Sequence, residues 1–186
     1  MKHRNLLLWL SVLLTALFYY SCSNNSGSKL RDLAEEGNID LVKSLLENGA
    51  DINWKDQYEG TALHRAVFKE NIQMVEFLIS NGANVNEKIE PGLATVMKKT
   101  ADEDKGKYST IENAHGATPL HIAVDRNNIE IVKILLDHEA SINEYLTVGY
   151  DFSKRKNLRK ALDIARINKN KEIENLLLQN GANSIL

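Results

Sequence analysis

The stretch LLENGADIN at residues 45–53 returns as LISNGANVN at 78–86, as LLDHEASIN at 135–143 and as LLQNGANSI at 177–185. The first interval is 33 residues; the next two, 57 and 42, exceed it by 24 and 9. A recurring unit of this length constrains the fold more than any other feature, because a chain of repeats stacks copies instead of enclosing one irregular core. The register holds elsewhere in the unit. Leu30, Leu63, Leu120 and Leu162 align, as do Leu33, Ala66, Ala123 and Ala165, and Leu45, Leu78, Leu135 and Leu177. The two long intervals therefore read as one repeat plus an insertion.

Each copy carries two short helical patterns. GTALHRAV at 60–67 and ATPLHIAV at 117–124 open the first helix. Thr118 stands at an N-cap position with Pro119 at the first helical residue, where a missing N–H costs nothing. Ala123 is small enough for a neighbouring helix to approach closely. A second helix is predicted after Asn128, burying Ile131 and Leu135 at helical spacing. Gly49, Gly82 and Gly181 suit the left-handed residue that ends such a helix. Glu139 replaces glycine in the third copy, at a cost of about 1 kcal/mol.

With its period of 33, paired helices, TPLHIA and GADIN, the chain resembles the ankyrin repeat family. The resemblance implies an all-α solenoid of four helix-turn-helix units joined by β-turn fingers. The units fall at about 29–55, 56–88, 113–145 and 155–186. Two fingers are extended by insertions at 89–112 and 146–154, at the same point of consecutive units, so they are expected side by side. No unit buries its apolar face alone, and about three are needed for stability. The outer units depart from the pattern as caps do. The first lacks the Thr-Pro-Leu-His motif; in the last, Asp163 replaces His, and Arg166, Lys171 and Glu174 take positions that are apolar in inner copies. Residue 186 is expected to end the array.

Residues 1–21 read as a secretory signal. Lys2 and Arg4 precede the uncharged run LLLWLSVLLTALFYY at 6–20, followed by small polar residues. The run falls short of the roughly 17–25 apolar residues that span a bilayer. Cys22, the single cysteine, follows Ser21 in a pattern that resembles bacterial lipoproteins, in which that cysteine is lipidated; Tyr19 and Tyr20 depart from it. The expectation is a lipid-anchored protein of the bacterial cell envelope, periplasmic or surface-exposed, with residues 22–28 as a flexible tether to a domain over 29–186. Cleavage by an ordinary signal peptidase, giving a secreted chain, and an uncleaved N-terminal helix are the alternatives. Loss of Lys2 and Arg4 would take the formal charge from −2 to −4.

That charge, with no Lys/Arg run read as a phosphate-tracking groove, argues against a nucleic-acid partner. One cysteine excludes an intrachain disulfide and a cysteine metal cluster. His64 and His121 recur with the fold period and so are assigned to the fold; the ankyrin resemblance implies that each imidazole bonds backbone and threonine. His115 and His138 have no partner at metal-ligand spacing. ADEDK at 101–105 lacks the order of a calcium loop. No nucleophile elbow, phosphate loop or dinucleotide fingerprint occurs. No catalytic residue, metal, cofactor or small-molecule substrate is expected.

Protein binding is the remaining expectation. Leu146, Val148, Tyr150 and Phe152 alternate with polar residues, as in a strand with one apolar face, and Tyr108 marks a strand-like stretch in the first insertion that could pair with it. Arg65, Phe68 and Lys69, with their counterparts Ile122, Asp125 and Arg126, are expected to point out of the stack, where aromatic and Arg side chains anchor partners. The chain is read as a non-enzymatic scaffold gripping a protein partner of unknown identity with a concave face and extended fingers. An immunity or inhibitor protein against a toxic envelope enzyme is the alternative.

Overall fold

A computed structural model of the chain describes residues 26–55, 60–89, 114–148 and 158–184. Among these residues, four helix pairs follow one another. The first joins α1 (26–36) to α2 (Ile39–Glu47) and the second α3 (Ala62–Phe68) to α4 (Ile72–Ser80). The third joins α5 (Pro119–Asp125) to α6 (Ile129–Asp137) and the fourth α7 (Ala161–Ile167) to α8 (Lys171–Gln179). Three short strands, β1 (Ala114–His115), β2 (Tyr145–Val148) and β3 (Leu158–Lys160), lie between the later pairs.

Local chemistry explains why each pair folds back on itself. The first helix of each pair ends at a residue of positive φ: Gly37, Glu70, Asn127 or Lys169. An asparagine follows each time, and Asn38, Asn71, Asn128 and Asn170 cap the second helix by accepting the N–H three residues on, at 3.0–3.1 Å. The second helices end at Gly49, Gly82 and Gly181, all left-handed; Glu139 takes the same conformation with φ 62° despite its side chain.

First helices pack against first helices, α3 on α5 and α5 on α7, and second helices likewise, α4 on α6 and α6 on α8. The aligned residues are the core: Leu30, Leu63, Leu120 and Leu162 are each at most 1% exposed, and Ala66, Ala123 and Ala165 are fully buried where helices cross. Val42, Val75 and Val132 are buried under the following pair, but the same position in the last pair is Glu174. Its carboxylate takes Arg166 at 2.9 Å and Lys171 at 2.8 Å, which makes a charged face where inner pairs are apolar. Asparagines also stitch the turns that end the second helices. Asn53 binds the Gly82 carbonyl and the Asn84 N–H; Asn86 does the same for Glu139 and Ser141, and Asn143 for Gly181 and Asn183.

The boundary expected at residue 29 is corrected. Residues 26–28 belong to α1 instead of a flexible tether, and Gly27 is buried there because the Trp54 side chain lies where its Cβ would be. Cys22 lies outside the described residues.

A candidate protein-binding site on the finger sheet

The three strands form one antiparallel sheet in the order β1-β2-β3. Ala114 pairs with Val148 and His115 with Thr147; on the other side Tyr145, Leu146 and Thr147 pair with Lys160, Arg159 and Leu158. Ile89 closes the base of the first insertion: its N–H reaches the Ala117 carbonyl and its own carbonyl accepts from Gly116, both at 2.9 Å. The chain thus leaves for 90–113 and returns at the same place, and it leaves for 149–157 from the strand next door. The neighbour of β2 in the sheet is Ala114–His115, beyond the stretch around Tyr108.

Which face of β2 looks outward differs from expectation. Leu146 is 1% exposed, turned inward, while Tyr145 is 54% exposed. A strand alternates faces, and residues directly opposite across strands share one. Tyr145, Thr147, His115, Leu158 and Lys160 therefore form the outward face. The sequence hid this because the apolar alternation begins at Leu146, and Leu146 is the residue that turns inward. Tyr108, Tyr150 and Phe152 lie outside the described residues, and only the backbone of Val148 is described.

The positions expected to project from the first helices are also corrected. Arg65 is 6%, Phe68 7% and Ile122 1% exposed. Each burial has a chemical cause. Ile122 is apolar and joins the core. Arg65 meets the Glu35 carboxylate at 3.2 Å, and Lys69, which is exposed, reaches the same group at 3.4 Å. The Phe68 ring lies beneath the Arg126 guanidinium, 5.0 Å from ring centre to carbon, and Arg126 also donates to Glu70 at 2.9 Å. Asp125 is half-buried and its carbonyl accepts from Asn168. The Arg65 and Arg126 contacts join one helix pair to the next.

His64 and His121 are built into the same joints. The Thr61 N–H donates to His64 Nδ1 at 3.2 Å and the Thr61 hydroxyl lies at 2.9 Å; Thr118 and His121 repeat this at 3.1 and 2.8 Å. An Nδ1 that accepts an N–H carries no proton, so the proton is on Nε2, which in His121 donates to the Glu144 carbonyl at 3.2 Å. Burial lowers both pKa values to about 4, against the opposing pull of backbone carbonyls: Ala117 and Glu87 at His64, Glu144 at His121. Lys160 and Asp163 occupy the equivalent place in the last pair, with the Lys160 N–H donating to the carboxylate at 2.9 Å.

Some features had no signal in the repeat pattern. Lys55 pairs with Glu87, and Lys88 with Glu144 at 2.7 Å, linking consecutive fingers; the Lys55 hydrogen bond keeps the Glu87 carboxyl below its ordinary pKa. Arg31 lies over the Trp54 ring at 5.6 Å. Lys154, Arg155 and Lys156 lead in sequence into Arg159 and Lys160, a short basic run. A groove of about 420 Å³ between α2 and α4 is lined by Leu46, Ile52 and Phe77 with Lys43 and Glu47 at its rim. Among the described residues no cluster of three His, Cys, Asp or Glu could hold a metal, and no helix is long and apolar enough to cross a membrane.

Comparison with known proteins agrees with this architecture. A family profile described as "Ankyrin repeats (3 copies)" matches residues 14–89, 30–146 and 93–185. The chain is 30% identical over 116 residues to serine/threonine-protein kinase 12 of Arabidopsis thaliana, covering 62% of this chain and 20% of the kinase. It is 39% identical over 110 residues to the ankyrin repeat protein FPV219 of fowlpox virus, covering 55% of this chain and 25% of that one. It thus spans no more than a quarter of either relative. With a repeated helix pair, Thr-His joints and asparagine stitches in one register, and a profile match over most of its length, the chain belongs to the ankyrin repeat family.

Proposed function

We propose that the protein is a non-enzymatic scaffold of four ankyrin units that grips a protein partner with two extended fingers. The observation that carries this reading is the shared sheet. The second insertion rises from β2 and β3, which pair with each other, and the first returns into β1, the other neighbour of β2, so whatever the two insertions contact is approached from one shared sheet. Loops of this kind cost little closure entropy, and pairing their bases side by side is not something the stack requires. Ankyrin repeats are in general protein-interaction modules, which supports a protein partner.

The same proposal places the chain in the bacterial cell envelope, held by a lipid on Cys22. Several acyl chains, at about 0.8 kcal/mol per buried methylene, hold a domain firmly on a membrane.

The test is affinity capture from envelope extracts with the wild type and with a variant lacking 91–112 and 150–156, a deletion that spares buried Ile89 and Leu146. A protein captured by the wild type and lost with the deletion is the expected result. Equal capture by both proteins sinks the finger reading. Cys22→Ser is expected to move the protein out of the membrane fraction, and retention there argues against the lipid.

A further inference from the structure

We infer that two buried imidazoles make the extended fingers releasable by acid: a proton taken up by His64 or His121 frees the finger above it while the helix pairs stay stacked. This rests on the scaffold reading above and names how its grip is regulated. The fingers that carry insertions follow the second and third helix pairs, and these are the pairs with a histidine at the joint. Arg31 and Asp163 hold the same register position in the first and last pairs.

Each ring has one edge toward the helix and the other toward the finger. His121 Nδ1 takes the Thr118 N–H at 3.1 Å, while Nε2 donates at 3.2 Å to the carbonyl of Glu144, the residue before β2. The start of the central strand of the sheet is thus tied to the ring. His64 Nδ1 takes the Thr61 N–H at 3.2 Å. Its buried Nε2 is close enough to the Glu87 and Ala117 carbonyls to be influenced by them, yet makes no well-aligned hydrogen bond among the described residues. The same Ala117 carbonyl accepts the Ile89 N–H that closes the first insertion.

The neutral ring carries its proton on Nε2, so a second proton goes to Nδ1. There the threonine hydroxyl can turn to accept it, but the threonine N–H cannot. The imidazolium therefore has to leave its socket and reach water. On the helix side it is enclosed by fully buried residues such as Leu63, Ala66, Leu120 and Ala123, whereas the finger bases are held by a few backbone bonds. Lifting the finger is the smaller opening. The charged groups facing the rings come in opposite pairs, Glu87 with Lys55 at His64 and Glu144 with Lys88 at His121. Burial is what sets both rings near 4 in place of 6.5. An opening that returns one ring to its ordinary value becomes about thirtyfold more populated between pH 7.5 and pH 5.

The test is amide hydrogen exchange of the full chain alone at pH 7.5 and pH 5, each rate divided by that of the unstructured peptide at the same pH. The amides of Ile89, Gly116 and β2 are expected to be less protected than α5 and α6 at both pH values, and to lose about thirtyfold in protection on acidification. His121→Gln is expected to abolish the loss in β2 and keep it at Ile89 and Gly116; His64→Gln should do the reverse. Protection of the finger bases that changes less than about threefold in the wild type overturns the inference. So does exchange of these amides in step with α5 and α6, since the fingers would then not open ahead of the stack. The wild-type measurement decides alone where a variant does not fold. No partner takes part, so failure here leaves the scaffold reading intact, and capture that survives finger deletion counts against the scaffold without touching the exchange result.

Discussion

Phe68 is the side chain whose surroundings most change how the surface is understood. Its ring is closed over by Arg126, and Arg126 is held in turn by Glu70, whose own backbone is left-handed. Phe68→Ala is therefore expected to cost about 3 kcal/mol, as for a core aromatic, read as a lower denaturant midpoint. An unchanged midpoint would return the ring to the surface. Glu139 runs the other way. Its φ of 62° is one that L side chains resist, so Glu139→Gly is expected to raise stability by about 1 kcal/mol in the same assay. The strain at Glu139 was legible from the repeat alone, because Gly49, Gly82 and Gly181 mark the position. The burial of Phe68 was not. Every residue of α3 is buried, so no polar stripe exists to set its phase, and Arg65 and Ile122 occupy one register position with opposite polarity. What buries Arg65 is a carboxylate one pair earlier, a relation that helical spacing cannot express.

Among the elements, α1 depends on a contact between residues far apart in sequence. A Cβ on Gly27 would fall 2.2 Å from Trp54 Cγ and 2.6 Å from Trp54 Cβ, too close for either to remain in place. Gly27→Ala is thus expected to loosen the docking of α1, at a cost of about 1–3 kcal/mol for overpacking. Faster hydrogen exchange confined to 26–36, with a shift in Trp54 emission, is the signature; unchanged exchange there would show that the helix absorbs the methyl group. The sequence marked Gly27 only as part of a small polar linker, since nothing in SNNSGS points to a tryptophan in the first finger. For β2 the strand and its apolar alternation were readable, yet their use was not. A sheet strand turns its apolar side to whatever core is nearest, and here that core is the array itself, which takes Leu146 and leaves Tyr145 outside.

At the scale of the whole molecule, each helix pair is held chiefly by its neighbours, so a change in one joint is felt by the stack. His64 and His121 are two such joints, and acid should act on both. In the unfolded chain each imidazole titrates near 6.5; in the fold burial lowers both to about 4. A folded pKa below the unfolded one means that, between these values, the unfolded chain binds more protons. Stability is therefore flat above pH 6.5, falls as the pH drops from about 6.5 to about 4, and has lost its full histidine contribution below that. The shift corresponds to about 3 kcal/mol for each residue, large beside the roughly 5–15 kcal/mol that separates folded from unfolded domains. The groups facing the rings do not reverse this: Glu87 and Lys55 oppose one another at His64, and Glu144 and Lys88 at His121. The depressed Glu87 carboxyl adds to the loss at the acid end, because a paired carboxylate also stabilises only while ionised. Protonating Nδ1 would place an N–H against the threonine N–H that now donates to it, so the stereochemistry and the titration point the same way. Melting temperatures measured from pH 7.5 to 4 should decline steeply below 6.5. His121→Gln, which cannot titrate, should start lower and decline less. A wild-type curve that stays level across that range would mean that the imidazoles are not the acid-sensitive joints of this array.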